Sequence, residues 1–153
     1  MARIAKQMDL FKGKRQRGVK APAPLEFPVH VAIADTLDRW IRPGWLWWHH
    51  PAGGERPKRV DPRTGKPYSP EASRLKRMGA KDGISDFILI GPPSGFVYAY
   101  ELKRKGKRPT YEQEDFGAKI IAAGGQWAWG DTYDHAIATF QDWGALPKTI
   151  HPQ

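Results

Sequence analysis

The chain of 153 residues is 40% hydrophobic and 12% aromatic, which is enough for one domain around one core. It has no cysteine, which excludes disulfide bonds and thiolate zinc sites and fits a reducing, cytoplasmic setting. The net charge of +9 favours a polyanionic partner, most often nucleic acid, although a basic domain without such a partner has the same charge. No stretch approaches the roughly 20 apolar residues of a membrane span. The N-terminus also lacks a signal-peptide core, so we expect a soluble protein.

Residues 1–24 are predicted to form a flexible basic arm. The stretch "KGKRQRGVKAPAP" is basic and then rich in proline and alanine, with little to bury. Such an arm either keeps the protein in solution or contacts phosphate groups without sequence preference, and its composition fits both uses. The folded domain is expected to span residues 25–153.

The first half of this domain is predicted to contain a helix, a short strand, a long loop and a second helix. Apolar residues recur at three- and four-residue steps over residues 25–41, which predicts a helix with Pro28 in its first turn. The aromatic run "WLWWHH" predicts a short strand. Residues 51–70 are rich in glycine, proline and basic residues and predict a long loop. A short helix then begins at Ser69 or Pro70.

The second half is predicted to begin with a β-hairpin. The stretches "DFILI" (86–90) and "FVYAYELK" (96–103) predict two strands, joined by the turn "GPPSG". A helix from about Tyr111 to Ala123, the strand "QWAWG" and a final amphipathic helix in "DTYDHAIATFQDW" follow. The order α, β, α, β, β, α, β, α predicts an α/β fold with a mixed central sheet flanked by helices.

Three charged residues are predicted to meet at one end of the hairpin. Side chains alternate between faces along a strand, so Glu101 and Lys103 project from the same face. The hairpin places Asp86, at the start of one strand, beside Glu101, at the end of the next. Clustered carboxylates repel one another unless a cation joins them, and a hard divalent ion such as Mg²⁺ suits this role. Such an ion would activate water for phosphodiester hydrolysis, and a lysine would stabilise the pentavalent phosphorus.

The spacing of these residues is weak support for a catalytic site when taken alone. Strands often end in charged residues, so on the spacing alone an ordinary structural role is favoured.

The surrounding residues strengthen the case, because "GISDFILI…FVYAYELKRKGKRPTYEQ" resembles the PD-(D/E)xK nuclease superfamily. More narrowly, it resembles the virus-type replication-repair nuclease (VRR-NUC) family in its small phage and prophage members. The residues that carry this resemblance are Gly83, Asp86, the triplet Glu101-Leu102-Lys103 and Gln113.

The resemblance extends to about residues 25–144. "LEFPVHVAIADTL" resembles the first helix of the superfamily, and "AAGGQWAW" and "DHAIATFQDWG" resemble the closing strand and helix. Ser85 is a departure, because the family usually has proline before the aspartate. That proline shapes the backbone and takes no part in the chemistry.

The resemblance implies a restriction-endonuclease-like core and a catalytic set of Asp86, Glu101, Lys103 and Gln113. Asp86 and Glu101 would bind Mg²⁺ or Mn²⁺, with the main-chain carbonyl of Leu102 as a further ligand. Lys103 would contact the scissile phosphate or the attacking water. Gln113 would orient a ligand or the phosphate.

Glu26, at the start of the first predicted helix, has two interpretations. It either completes the metal shell or is an acid favoured by the helix dipole. His30 lies four residues later on the same helix face and either enters the site or is an ordinary packed or exposed histidine.

Several residues are candidates for contacting nucleic acid. His49 and His50 face opposite ways on a strand and cannot easily share a metal, so His49 is considered a substrate contact. The basic run after Lys103 either contacts phosphates or is a solvated turn. The predicted nucleic-acid contacts are His49, Arg56, Arg104, Lys105, Lys107 and Arg108.

The resemblance implies a metal-dependent DNA endonuclease that acts in the cytoplasm of a phage-infected or prophage-carrying host. Small members of the family resemble Holliday-junction resolvases, which work as homodimers, so branched DNA is the first predicted substrate. A nickase, flap nuclease or general duplex nuclease is one alternative. A non-catalytic basic DNA-binding protein is a second, and an RNA-binding or RNA-cleaving protein is a third.

Overall fold

A computed structural model describes residues 26–51 and 58–150, so the predicted N-terminal arm lies outside the described residues. Within these ranges the chain forms four helices and six strands. In chain order they are α1 (Glu26–Trp40), β1 (Leu46–His49), β2 (Arg59–Val60), β3 (Pro67–Tyr68), α2 (Pro70–Arg77), β4 (Phe87–Gly91), β5 (Phe96–Leu102), α3 (Tyr111–Ala122), β6 (Gln126–Gly130) and α4 (Tyr133–Asp142).

The central sheet has the order β1-β4-β5-β6. Strands β1 and β5 run antiparallel to β4, whereas β6 runs parallel to β5 after the α3 crossover. The predicted mixed sheet with flanking helices is therefore confirmed. The register of the hairpin pairs Phe87 with Tyr100, so the next residues along, Asp86 and Glu101, lie side by side at one end of the sheet.

One segment differs from its prediction as a plain loop. Strands β2 and β3 form a small antiparallel hairpin inside residues 51–70. Its turn is closed by the Asp61 carboxylate, which accepts hydrogen bonds from the main-chain N–H groups of Arg63 and Thr64. Strands of two residues leave no periodicity in the sequence, so its pattern did not predict them.

Helices cover both faces of strand β5. Tyr100 packs against Phe140 of α4 on one face, with ring centroids 5.3 Å apart. On the other face, α3 lies against β6 so closely that a Cβ atom at Gly117 would be 2.3 Å from the Trp127 ring. Residues at the end of β5 are therefore buried whichever way they point, and Glu101 is one of them.

The segment before β4 is fixed against α3 and β6. Gly83 has φ of +79°, and a Cβ atom there would lie 2.4 Å from the carbonyl oxygen of Glu112, so this close approach requires glycine. Ser85 is fully buried, and its hydroxyl accepts a hydrogen bond of 3.0 Å from the indole N–H of Trp127. Serine thus gives this indole a partner that a proline side chain would not provide.

No helix within the described ranges has the length and apolar character needed to cross a membrane.

Candidate active site

The candidate site lies where β4 begins and β5 ends. Glu101 is only 1% exposed, although glutamate side chains are rarely buried unless they are paired. Its burial follows from its position on the face of β5 that α3 covers. A carboxyl group here needs partners, because a buried polar atom without one destabilises the fold.

Two donors converge on a single oxygen of Glu101. The ammonium group of Lys103 lies 2.6 Å from Oε1, and the side-chain amide of Gln113 donates to the same atom. The amide oxygen of Gln113 accepts a 2.9 Å hydrogen bond from the N–H of Thr110, the residue that caps α3. This bond sets the orientation of the amide, so its NH₂ group faces Glu101. The other oxygen, Oε2, is buried without a hydrogen-bond partner among the described residues.

Asp86, the residue before β4, faces Glu101. Its Oδ2 atom accepts a 2.9 Å hydrogen bond from the main-chain N–H of Leu102. Burial raises the pKa of Asp86, and the charge of Glu26 adds to this effect. Burial and then the charge of Asp86 raise the pKa of Glu101 to about 7, although Lys103 opposes the shift.

The structure thus brings together all four residues predicted to be catalytic, Asp86, Glu101, Lys103 and Gln113. The two remaining predicted metal ligands are close by. Leu102 is fully buried beside Asp86, and Glu26 lines an adjacent pocket that Asp86 also lines. The carboxylate of Glu26 lies 3.4 Å from Nε of Arg104.

The donor set at this end of the sheet fits a divalent cation. Two carboxyl groups face each other here, and Oε2 of Glu101 has no hydrogen-bond partner within the described ranges. A cation bound to Asp86 and Glu101 would supply that partner and relieve the repulsion between the two carboxylates.

The predicted nucleic-acid contacts after Lys103 lie on the surface. Arg104, Lys105, Lys107 and Arg108 are all exposed in a tight turn. The N–H of Gly106 donates to the carboxylate of Asp131 at 3.0 Å, which anchors this turn to the start of α4. Arg56 lies outside the described residues.

His49 lies beside His30, which the sequence left either as a residue that enters the site or as an ordinary histidine. Its Nδ1 atom is 3.0 Å from Nε2 of His30 and 2.9 Å from the main-chain carbonyl oxygen of Asp86. Burial lowers the pKa of His30, and the neighbouring His49 lowers it further. The only sequence signal for His30 was its position one helical turn after Glu26.

No protein-family model matches the chain, and no curated protein does. Among solved structures, one named "VRR_NUC domain protein" has a TM-score of 0.58 and 20% sequence identity, over 78% of this chain and 87% of that chain. The chain shares the fold of that protein, a mixed α/β fold with a restriction-endonuclease-like core, as the sequence predicted.

Proposed function

We propose that this chain is a metal-dependent DNA endonuclease of the VRR-NUC type. The observation that carries the proposal is the Glu101 carboxyl group, which is buried opposite Asp86 with Oε2 unpartnered within the described ranges, on a VRR-NUC fold. Leaving such an atom unsatisfied costs about 1–3 kcal/mol. A buried oxygen without a protein partner is better tolerated at a site where a bound cation becomes its partner.

Asp86 and Glu101 are the proposed ligands of Mg²⁺ or Mn²⁺, with the carbonyl of Leu102 and the carboxylate of Glu26 as further ligands. When bound, such an ion polarises a phosphoryl oxygen and lowers the pKa of bound water. Lys103 stands beside Glu101 with its side chain 15% exposed, so its ammonium group can contact a phosphate that approaches from solvent. Gln113 donates to the Glu101 carboxylate and holds it in one orientation, because the Gln113 amide is itself fixed by the main-chain N–H of Thr110.

Branched DNA is the proposed substrate, and a homodimer is the proposed active form. The net charge of +9 and the exposed basic turn beside Lys103 favour a polyanion at this end of the molecule. Two copies related by a two-fold axis would cut opposing strands of a four-way junction. This activity suits a phage or prophage protein that works in the host cytoplasm.

The test uses labelled four-way junction, flap, nicked and linear duplex DNA, together with a matched RNA duplex. Each substrate is incubated with Mg²⁺, Mn²⁺ or EDTA and with wild type, Lys103→Ala or Lys119→Ala. Lys119→Ala is the matched control, because it removes the same charge from an exposed lysine on α3, outside the candidate site and the basic turn. Binding of each variant to the same DNA and the mass of the protein in solution are measured in parallel.

We expect paired, metal-dependent cuts near the junction. Lys103→Ala should lower the cleavage rate about 10²- to 10³-fold, as the loss of one charge-stabilising donor does elsewhere, while DNA binding persists. If only the other DNA forms are cut, the proposed nuclease activity is supported and the proposed selectivity for junctions is rejected. Binding without cutting in either metal would reject the nuclease in favour of a non-catalytic DNA-binding protein.

A further inference from the structure

We propose that His30, His49 and Asp86 form a second divalent-metal site, selective for transition metals, beside the Asp86–Glu101 pair. It shares only Asp86 with the catalytic ligands proposed above. The inference goes beyond the proposed function, because metal binding by these three residues does not depend on whether the chain cuts DNA.

The three side chains lie close enough to reach one ion after a small adjustment. One ligand atom from each of them lies within 4.8 Å of the other two. The two nitrogens, Nε2 of His30 and Nδ1 of His49, are 3.0 Å apart. Two ligands at about 2.1 Å from one ion are separated by about 3.0 Å in octahedral coordination and by about 3.4 Å in tetrahedral coordination. The imidazole pair thus matches adjacent positions around an ion, and the carboxylate of Asp86 completes the set by a side-chain adjustment.

Packing holds the two rings in place. The ring of His30 stacks on Phe87, with centroids 4.4 Å apart and planes 26° from parallel, and Phe87 is fully buried in the core. His49 is paired with Phe87 across the β1–β4 ladder, so the sheet sets the position of its backbone. Its exposed ring is held by contacts to His30 and to the main-chain carbonyl of Asp86. One ligand comes from α1, one from β1 and one from the residue before β4. A site built from three packed elements is preorganised, because little side-chain freedom is lost when a metal binds.

The site also has an open side. A pocket of about 510 Å³ is lined by all three ligands and by Glu26 and Arg104. This space admits water or an anion to complete the coordination of an ion that has only three protein ligands.

The ligand chemistry distinguishes this site from the all-oxygen site around Glu101. Imidazole nitrogen suits zinc, cobalt and nickel, whereas carboxylate and carbonyl oxygens suit Mg²⁺ and Mn²⁺. We therefore expect the His30–His49–Asp86 site to bind Co²⁺ or Zn²⁺ much more tightly than Mg²⁺.

The competing explanation of the short distance is a hydrogen bond between the two imidazole rings. Nδ1 of His49 carries at most one proton, and it faces both His30 and the carbonyl of Asp86. That proton must leave Nδ1 before the atom can bind a metal. A purely structural pair would keep the proton and bind no metal, so metal titration separates the two explanations.

The test is a Co²⁺ titration of the full chain without a histidine tag, followed by calorimetry and by proton NMR. Co²⁺ is paramagnetic, so each coordinated histidine gives a strongly shifted imidazole N–H signal. We expect two such signals, with one lost in His30→Gln and one in His49→Gln. Each substitution should weaken Co²⁺ binding by at least about tenfold, and excess Mg²⁺ should not displace the Co²⁺.

Two control variants make the result specific. His50→Gln changes the adjacent histidine, which is outside the cluster, and Glu101→Gln removes a ligand of the proposed catalytic metal; both should keep the two signals. The inference is overturned if Co²⁺ gives no shifted imidazole signals with wild type, or if His50→Gln weakens binding as much as His49→Gln. It is also overturned if Glu101→Gln alone abolishes binding, an outcome that would leave the proposed nuclease standing. Conversely, the shifted signals without DNA cleavage would support this site and reject the nuclease.

Discussion

Glu101 combines nearly complete burial with an uneven set of hydrogen bonds. One of its oxygens has two donors, from Lys103 and Gln113, and the other is unpartnered within the described ranges. Burial and the charge of Asp86 raise its pKa to about 7, well above the value of about 4.3 in an unfolded chain. The folded protein therefore keeps this proton at pH values where the unfolded chain has lost it. The stabilisation from this proton is complete below about pH 4.3 and is lost as the pH rises through about 7.

Glu101→Gln should remove this pH dependence from the metal-free protein. The free energy of unfolding of wild type should fall relative to that of the variant between about pH 5 and 7, by at most about 1.4 kcal/mol per pH unit. Above about pH 8 the difference should stay constant. Urea unfolding in EDTA at a series of pH values measures both curves. Parallel curves over this range would contradict the raised pKa.

At the scale of secondary structure, the approach of α3 to the sheet decides whether Gln113 reaches Glu101. Gly117, one turn after Gln113 on this helix, is buried against the Trp127 ring. Trp127 is fixed in turn by its hydrogen bond to Ser85, the residue before Asp86. A side chain at Gly117 would push α3 away from β6, and the site would lose the support of Gln113.

Gly117→Ala should therefore destabilise the fold, although glycine to alanine in a helix interior ordinarily stabilises by about 1 kcal/mol. Overpacking of this kind typically costs about 1–3 kcal/mol. The reverse change at the next position, Ala118→Gly, is the control, because Ala118 is exposed and its substitution reports only helix propensity. Thermal unfolding of both variants measures the effect. A Gly117→Ala protein more stable than wild type would show that the contact with Trp127 is loose.

The elements that carry the motif were predictable because their pairing is local. A tight hairpin fixes its own register, so the sequence was enough to predict that Asp86 and Glu101 meet. The contact between His30 and His49 depends instead on how α1 and β1 pack around Phe87, which sequence spacing does not encode. The full burial of Glu101 could not be predicted from the sequence either, because it depends on the close packing of α3.

At the scale of the whole molecule, the basic charge is the feature that the proposed substrate would use. The chain carries 25 basic and 16 acidic residues, and the exposed turn after Lys103 concentrates positive charge beside the candidate site. Each phosphate that a protein neutralises releases counterions, so the affinity for DNA falls as salt rises. The slope of this fall counts the phosphates contacted, which makes it a direct measure of whether the turn binds DNA.

Lys105→Ala/Lys107→Ala should weaken binding to duplex or junction DNA and reduce the slope of log K against log salt by up to about 1.8, which is 0.9 for each of two phosphates. The control is Lys119→Ala/Lys148→Ala, which removes the same charge from two exposed lysines that already pair with Asp115 and Asp142. The control should leave the slope nearly unchanged, because its lysines lie outside the turn. Equal decreases of the slope in the two variants would mean that DNA binding depends only on the net charge of the protein. An unchanged slope in the first variant would mean that the turn is a solvated connection and that the phosphates lie elsewhere.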